Sequence, residues 1–211
     1  MKPNPFHRLH SLRMENDAHR ATMEEQAPRF AALAARHENG TAPRAVSAFQ
    51  LFQTPPALAH RLADLLPSRQ GMRILEPSAG LGRLLDALHN FEPAEVVAVE
   101  MAAECAREIF TQDRAGVRLV QRDFLTVTPS ELGTFDAVIM NPPFHMRADI
   151  RHVLHARQFL APGGILAALV MDTSHREKAL QPLASTWEKI PAGAFRSEGT
   201  SVPTVMLSIR A

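Results

Sequence analysis

Tyrosine is absent from the 211 residues, and cysteine occurs once, as Cys105. A single thiol excludes an intramolecular disulfide and suits a reducing, cytoplasmic setting. No apolar run approaches the roughly 18 residues that span a bilayer. The stretch MKPNPFHRLHSLRMEND has no apolar core of the kind a secretory signal needs. Neither a membrane span nor a signal is therefore expected. A dominant charge is missing too: 23 Lys and Arg stand against 22 Asp and Glu, for a formal net charge of +1. That balance neither demands nor excludes nucleic acid, because a local basic face survives inside a balanced total. Internal repeats and low-complexity blocks are also absent.

What is there is an ordinary globular composition, 45% hydrophobic, at a length that buries one sizeable α/β core. Residues 16–38 read mostly as helix, interrupted near Pro28, with a stripe of Phe30, Leu33 and Ala34. Arg8, Arg13, Arg20 and Arg29 are interleaved there with Glu15, Asp17, Glu24 and Glu25, as on a solvated or oligomerising helix. The stretch ENGTAPRAVSAFQ, from Glu38, is a linker. Residues 1–46 are expected to form a helical extension and linker, and 47–211 the main domain. In TPPALAHRLADLLP, Thr54 can cap a helix, Pro55 and Pro56 suit its first turn, and Leu58, Leu62, Leu65 and Leu66 supply its stripe.

From there strands and helices alternate. MRILEPSAG reads as a strand entering a glycine-containing turn, and EVVAVEM, VRLVQRD, FDAVIMN, GGILAALVM and SVPTVMLSIRA read as strands. LGRLLDALHN, AAECAREIFTQDR and DIRHVLHARQFL read as helices. Short apolar runs separated by helices predict a mostly parallel sheet covered on both faces.

The strand Arg73–Leu75 runs into Glu76-Pro77-Ser78-Ala79-Gly80-Leu81-Gly82. Ligands of open α/β sheets bind beyond the carboxyl ends of strands, and glycine lets backbone approach them closely. The spacing is not G-x-G-x-x-G, which argues against a dinucleotide. The next strand ends in Glu100, whose carboxylate can accept both hydroxyls of a ribose. The one after ends in Asp123 and Phe124, which can hold the amino edge and face of an adenine. Each feature alone is an ordinary strand end. Three in order on one sheet edge point to a nucleoside cofactor.

Strand FDAVIM ends in Asn141-Pro142-Pro143-Phe144. Pro-Pro stops strands and Asn favours turns, which accounts for one proline but not for the whole set. An exocyclic amino group is a poor nucleophile, because its lone pair is delocalised. To methylate it, a site must accept hydrogen bonds from the NH₂ and hold the nitrogen in line with a methyl donor. Asn141 can accept one bond through its side-chain oxygen and Pro142 a second through its carbonyl. The prolines preorganise both, and Phe144 can stack on the planar target. A base in a duplex must leave the stack to reach such a site.

These residues carry a resemblance to class I S-adenosylmethionine-dependent methyltransferases of the amino-methylating type, whose signature is (D/N/S)-P-P-(Y/F/W). LEPSAGLG resembles their cofactor loop, VAVEM their ribose-binding strand end, RDF their adenine-contacting strand end and NPPF their catalytic loop. FQTPPALAHRLADLL resembles the segment before the cofactor loop in the gamma arrangement of DNA adenine-N6 enzymes, where a Thr-Pro pair lines the methionine end of the cofactor. GTSVPTVMLSIR resembles their last β-hairpin. The resemblance covers residues 50–211. It implies a Rossmann-like, seven-stranded, mostly parallel sheet with helices on both faces and an antiparallel last strand. It implies S-adenosylmethionine held by Phe52, Thr54, Pro55, Glu76, Pro77, Ser78, Ala79, Gly80, Glu100, Met101, Asp123, Phe124 and Asn141. It further implies catalysis by Asn141, Pro142, Pro143 and Phe144, with Phe144, His145 and Arg147 toward the substrate.

DNA adenine enzymes usually carry Tyr where this chain has Phe144. Phe keeps the stacking and loses the hydroxyl, and it is frequent among ribosomal-RNA relatives. The loop after NPPF is short, and the chain ends one residue past SVPTVMLSIR. Direct groove readout of a long site needs more surface than that, so low intrinsic sequence specificity, or recognition through a partner or the N-terminal arm, is expected. The layout resembles small methyltransferases of phages and prophages. The expected substrate is adenine N6 in DNA, with nucleic acid as partner and a homodimer or protein partner through the N-terminal helices as a further option. An RNA amino group, a protein glutamine amide and a non-catalytic cofactor-binding subunit are the alternatives. His145, His152 and His155 have a metal-like look, but no acidic or cysteine partner lies at ligand spacing, and methyl transfer needs no metal. They read as surface or substrate-facing. With Arg147, Arg151 and Arg157 they make either a phosphate-binding rim or a solvated helix face.

Overall fold

The computed structural model describes residues 53–67, 70–198 and 201–211. The helix expected over 16–38, the linker and Phe52 lie outside the described residues. Helix α1, Pro56–Ala63, begins at two prolines, Pro55 at the N-cap and Pro56 at the first helical position. Proline is tolerated there because the first N–H groups of a helix have no partner within it. Thr54 does not cap it, contrary to the sequence reading: its hydroxyl accepts a hydrogen bond from Asn141 Nδ2 at 3.0 Å. Leu58, Ala59, Leu62 and Ala63 are the buried face of α1.

The strands are β1 Arg73–Glu76, β2 Glu95–Glu100, β3 Val117–Gln121, β4 Phe135–Met140, β5 Leu160–Met171, β6 Thr186–Ile190 and β7 Thr204–Arg210. They form one seven-stranded sheet in the order β3-β2-β1-β4-β5-β7-β6. Pairings from β3 to β5 are parallel, and β7 runs antiparallel to both β5 and β6. The helices between strands are α2 Arg83–Ala87, α3 Ala103–Thr111, α4 Pro129–Leu132, α5 Ala148–Ala156 and α6 Ser174–Leu180.

The period of two along each strand divides the core. Ile74, Val96, Ala98, Ala137, Ile139, Ile165, Ala167 and Leu169 pack on one face with Leu58 and Leu62 of α1 and Leu84 of α2. Leu75, Val97, Val99, Val138, Met140, Leu166, Ala168 and Val170 pack on the other with Val153 and Ala156 of α5 and Leu180 of α6. Both faces being covered, β1, β2, β4 and β5 read as continuous apolar runs, and each buried Leu or Ile is worth about 1.5–3 kcal/mol. β6 went unread in the sequence. Among the described residues it is an edge strand paired only to β7, and Thr186, Glu188 and Lys189 are exposed on it, as suits an edge. It is the partner of β7 in the hairpin and lies before the GTSVP stretch. No helix among the described residues is long and apolar enough to cross a membrane.

Candidate active site

Strand order decides where a ligand can sit. The chain steps outward from β1 to β2 and β3, then lays β4 on the other side of β1 and continues to β5. This reversal opens a crevice beyond the carboxyl ends of β1 and β4. β1 ends at Glu76 and β4 at Met140, so the two loops that follow them meet. They border a cavity of about 350 Å³. Glu76, Pro77, Ser78, Ala79 and Gly80 line one wall, and Asn141, Pro142, Pro143, Phe144 and His145 another. Thr54, Glu100, Met101, Asp123 and Phe124 also line it, as do Arg122 and His152. Pro55 and Arg147 are not on the wall.

Glu100 ties the loops together. Its Oε2 accepts from the Gly80 N–H and its Oε1 from the Ala102 N–H, both at 2.7 Å. Gly80 adopts φ +54°, and Gly82, at φ +84°, starts α2. The left-handed backbone favours glycine at Gly82, and a Cβ there, 2.5 Å from Arg114 Nη1, would also push the Arg114 guanidinium aside. Glu76 is 1% exposed, and its Oε2 has no hydrogen-bond partner among the described residues. Burial pushes its carboxyl well above the usual range; Arg114 opposes this, and the charges of Glu100 and Asp86 add to it. Asp123 Oδ1 accepts from the Leu125 N–H at 2.9 Å and caps a short 3₁₀ turn. The Phe124 ring is buried against His155 and Phe159.

On the other wall, Asn141 is held through Nδ2 by Thr54. Phe144 is 8% exposed, so most of its ring is enclosed. Its carbonyl accepts from Arg176 Nη2 at 2.9 Å. His145, Met146 and Arg147 follow, all exposed, with Met146 and Arg147 in the left-handed region at φ +47° and +58°.

Of the three histidines, read as surface or substrate-facing, His145 is exposed and His145 and His152 both line the cavity. His152 is buried, with Nδ1 3.3 Å from Ser78 Oγ. Burial lowers its pKa to about 4, against the raising charge of Asp123 and with the lowering charge of Arg151. His155 is half-buried and bonds the Val127 carbonyl through Nε2 at 2.8 Å. Both rings contact Phe124. No group of three His, Cys, Asp or Glu among the described residues could hold a metal ion. Arg151 and Arg157 are exposed, and Arg151 and His145 reach the cavity wall.

The sequence reading missed the buried pair of Asp149 and Arg176, 3.0 Å apart. A signal was present. Asp149, His152, Val153 and Ala156 fall at i, i+3, i+4 and i+7 on α5, so two polar residues occupy its buried stripe.

The architecture is that of S-adenosylmethionine-dependent methyltransferases. TrmN from Thermus thermophilus superposes with a TM-score of 0.59 at 20% identity, covering 74% of this chain and 48% of that one. An S-adenosylmethionine-dependent methyltransferase from Mesorhizobium loti superposes at 0.55 with 12% identity, over 72% and 96% of the two chains. The tRNA m1G37 methyltransferase of M. jannaschii gives 0.55 at 14% identity, over 76% and 51%. The chain thus spans about half the length of TrmN and of the tRNA enzyme. Within this class, the methyltransferase small domain family matches residues 58–194, and the chain belongs to that family. No curated protein matches the sequence. The cofactor is S-adenosylmethionine. The cavity fits it: a buried Glu76 oxygen without a partner suits a cationic ligand, and the Glu100 carboxylate stands at the strand end where hydroxyls can be accepted.

Proposed function

We propose that this methyltransferase transfers a methyl group to an exocyclic amino nitrogen, adenine N6 in DNA before any other, with low intrinsic sequence specificity. The observation that carries this reading is the placement of Asn141-Pro142-Pro143-Phe144 on the cavity wall facing the Glu76–Gly80 loop, with the Asn141 amide held by Thr54. When bound, S-adenosylmethionine supplies an electrophilic methyl on a positively charged sulfur. Glu76 and Ser78 would hold its amino-acid end, Glu100 its ribose, and Met101, Asp123 and Phe124 its adenine. Asn141 Nδ2 donates to Thr54, and the Asn141 side-chain oxygen, buried at the edge of the site, is the proposed acceptor for one N–H of the target amine. The Pro142 carbonyl accepts the other. The two bonds concentrate electron density on the nitrogen and aim its lone pair, and the prolines keep both acceptors in place before the target arrives. Phe144 stacks on the base. No ionised side chain need remove a proton before attack, because the amine sheds it to water as the new N–C bond forms.

DNA is favoured by the Thr54-Pro55 segment ahead of the cofactor loop. Low specificity is favoured by the three residues between Phe144 and α5, which leave no inserted recognition element there. A second reading, an amino group on an RNA base, is favoured by Phe in place of Tyr at Phe144; the tRNA m1G37 methyltransferase among the structural relatives, which modifies a ring nitrogen, supports RNA as a substrate class and not the amino position. Residues 1–46 are proposed to hold a partner or a second copy.

Asn141→Ala tests the reading. Methyl transfer to the responsive substrate should fall about 100-fold or more, with cofactor affinity measured by calorimetry unchanged. Loss of cofactor binding in that variant would mean that Asn141 serves the cofactor and not the amine.

A further inference from the structure

Asp149 and Arg176 sit where an apolar pair would serve stability as well. Asp149 is 0% and Arg176 7% exposed. Burying two charges costs several kcal/mol, and replacing such a pair with packed apolar side chains is often neutral or stabilising. Stability alone does not account for the pair, but its partners do. Arg176 Nε donates to Asp149 Oδ1 and Oδ2 at 3.2 and 3.0 Å. Nη2 donates to the Phe144 carbonyl at 2.9 Å, and Nη1 reaches Thr173 Oγ1 at 3.4 Å. Asp149 Oδ2 also accepts from the Met171 N–H at 3.3 Å, where β5 ends. A planar guanidinium thus joins the start of α5, the end of β5, and the residue that closes the Asn-Pro-Pro-Phe loop.

Three residues along the same buried face of α5, His152 meets Ser78 of the cofactor loop and packs on Phe124. One helix face therefore touches both sides of the reaction. Its Asp149 end leads through Arg176 to Phe144, and its His152 end leads to Ser78. Methyl transfer needs the nitrogen about 3–3.5 Å from the methyl carbon and in line with the breaking bond, so whatever spaces these two loops sets the rate.

We infer that Arg176, anchored by Asp149, is a positioning residue for the acceptor: it fixes the Phe144 backbone, and with it the stacking ring, relative to the cofactor loop through helix α5. The inference rests on the amino-methylation reading for its kinetic consequence, and on the geometry alone for its structural one.

Arg176→Lys is the test. Lysine keeps a cation opposite Asp149 and lacks the rigid fork that also reaches the Phe144 carbonyl. In the full chain, kcat should fall about 10-fold or more, with the cofactor Kd changed less than about twofold. Backbone amide exchange over Phe144–Arg147, followed by mass spectrometry, should quicken. The neutral pair Asp149→Asn with Arg176→Gln leaves no lone buried charge and should loosen the same loop. Wild-type kcat together with wild-type exchange in Arg176→Lys would overturn the proposal. So would a parallel loss of cofactor affinity, which would make the pair a general prop of the fold. If the wild-type enzyme methylates no substrate, the functional reading fails, while the exchange measurement still decides whether Arg176 holds the loop.

Discussion

Thr54→Val removes one oxygen and keeps the shape of the side chain. Thr54 is 3% exposed, and its Oγ1 accepts from Asn141 Nδ2 at 3.0 Å. A neutral hydrogen bond of this kind contributes about 1 kcal/mol net. In the ground state that loss would lower the melting temperature by a few degrees. The larger consequence concerns direction. The bond helps set which way the amide is turned, and an amide turned the other way would point a donor at a target that is itself a donor. If the bond energy is expressed fully in orienting the acceptor, about 1–1.4 kcal/mol becomes a 5- to 10-fold fall in kcat. Thr54→Ser, which keeps the hydroxyl, should recover most of it. The assay is single-turnover methyl transfer at saturating cofactor, beside calorimetric cofactor binding. Wild-type kcat in Thr54→Val would refute the reasoning. A weakened cofactor Kd with unchanged kcat would also refute it, because it would place Thr54 in service of the cofactor.

Three other outcomes are expected. His152 has a pKa lowered to about 4 in the folded protein, against 6.5 as a free side chain. Between these values the unfolded chain binds the extra proton, so stability is complete above pH 6.5 and declines as pH falls toward 4, by about 3 kcal/mol at most. Urea titrations should show this slope, and His152→Gln should lack it; an identical slope in the variant would contradict the assignment. Burial raises the Glu76 pKa, and a bound cation reverses that push, so cofactor binding should release a proton and strengthen as pH rises. Binding enthalpies that do not vary with the ionisation heat of the buffer would count against a role for Glu76. If His145, Arg147 and Arg151 hold phosphates, affinity for nucleic acid should drop steeply with salt, and changing Arg147 and Arg151 to Gln should reduce the slope by about 2. A flat response in the wild type would make the rim an ordinary solvated face.

The central strands were legible because each is buried on both faces and reads as an unbroken apolar run. β6 was not, because an edge strand needs polar residues and so imitates a loop. The two site loops were legible because their chemistry is local: a glycine turn after β1, and amide, prolines and aromatic after β4. Long-range partners were not. Thr54 ahead of two prolines looks like a helix cap, yet its partner is Asn141, 87 residues on. Arg176 lies 27 residues from Asp149, and no local pattern announces that they meet. His152 and His155 read as surface or substrate-facing; the helical stripe marks the buried side of α5 at His152, but the contact of both rings with Phe124 is supplied by the fold. The missed residues are the ones whose role depends on a neighbour supplied by the fold.

The most direct test is labelled methyl transfer from S-adenosylmethionine to unmethylated DNA, with RNA and protein in parallel, followed by digestion and mass identification of the modified unit. The account predicts N6-methyladenine in DNA. Label on an oxygen, a carbon or a ring nitrogen, or no label from any substrate while the cofactor still binds, would contradict it.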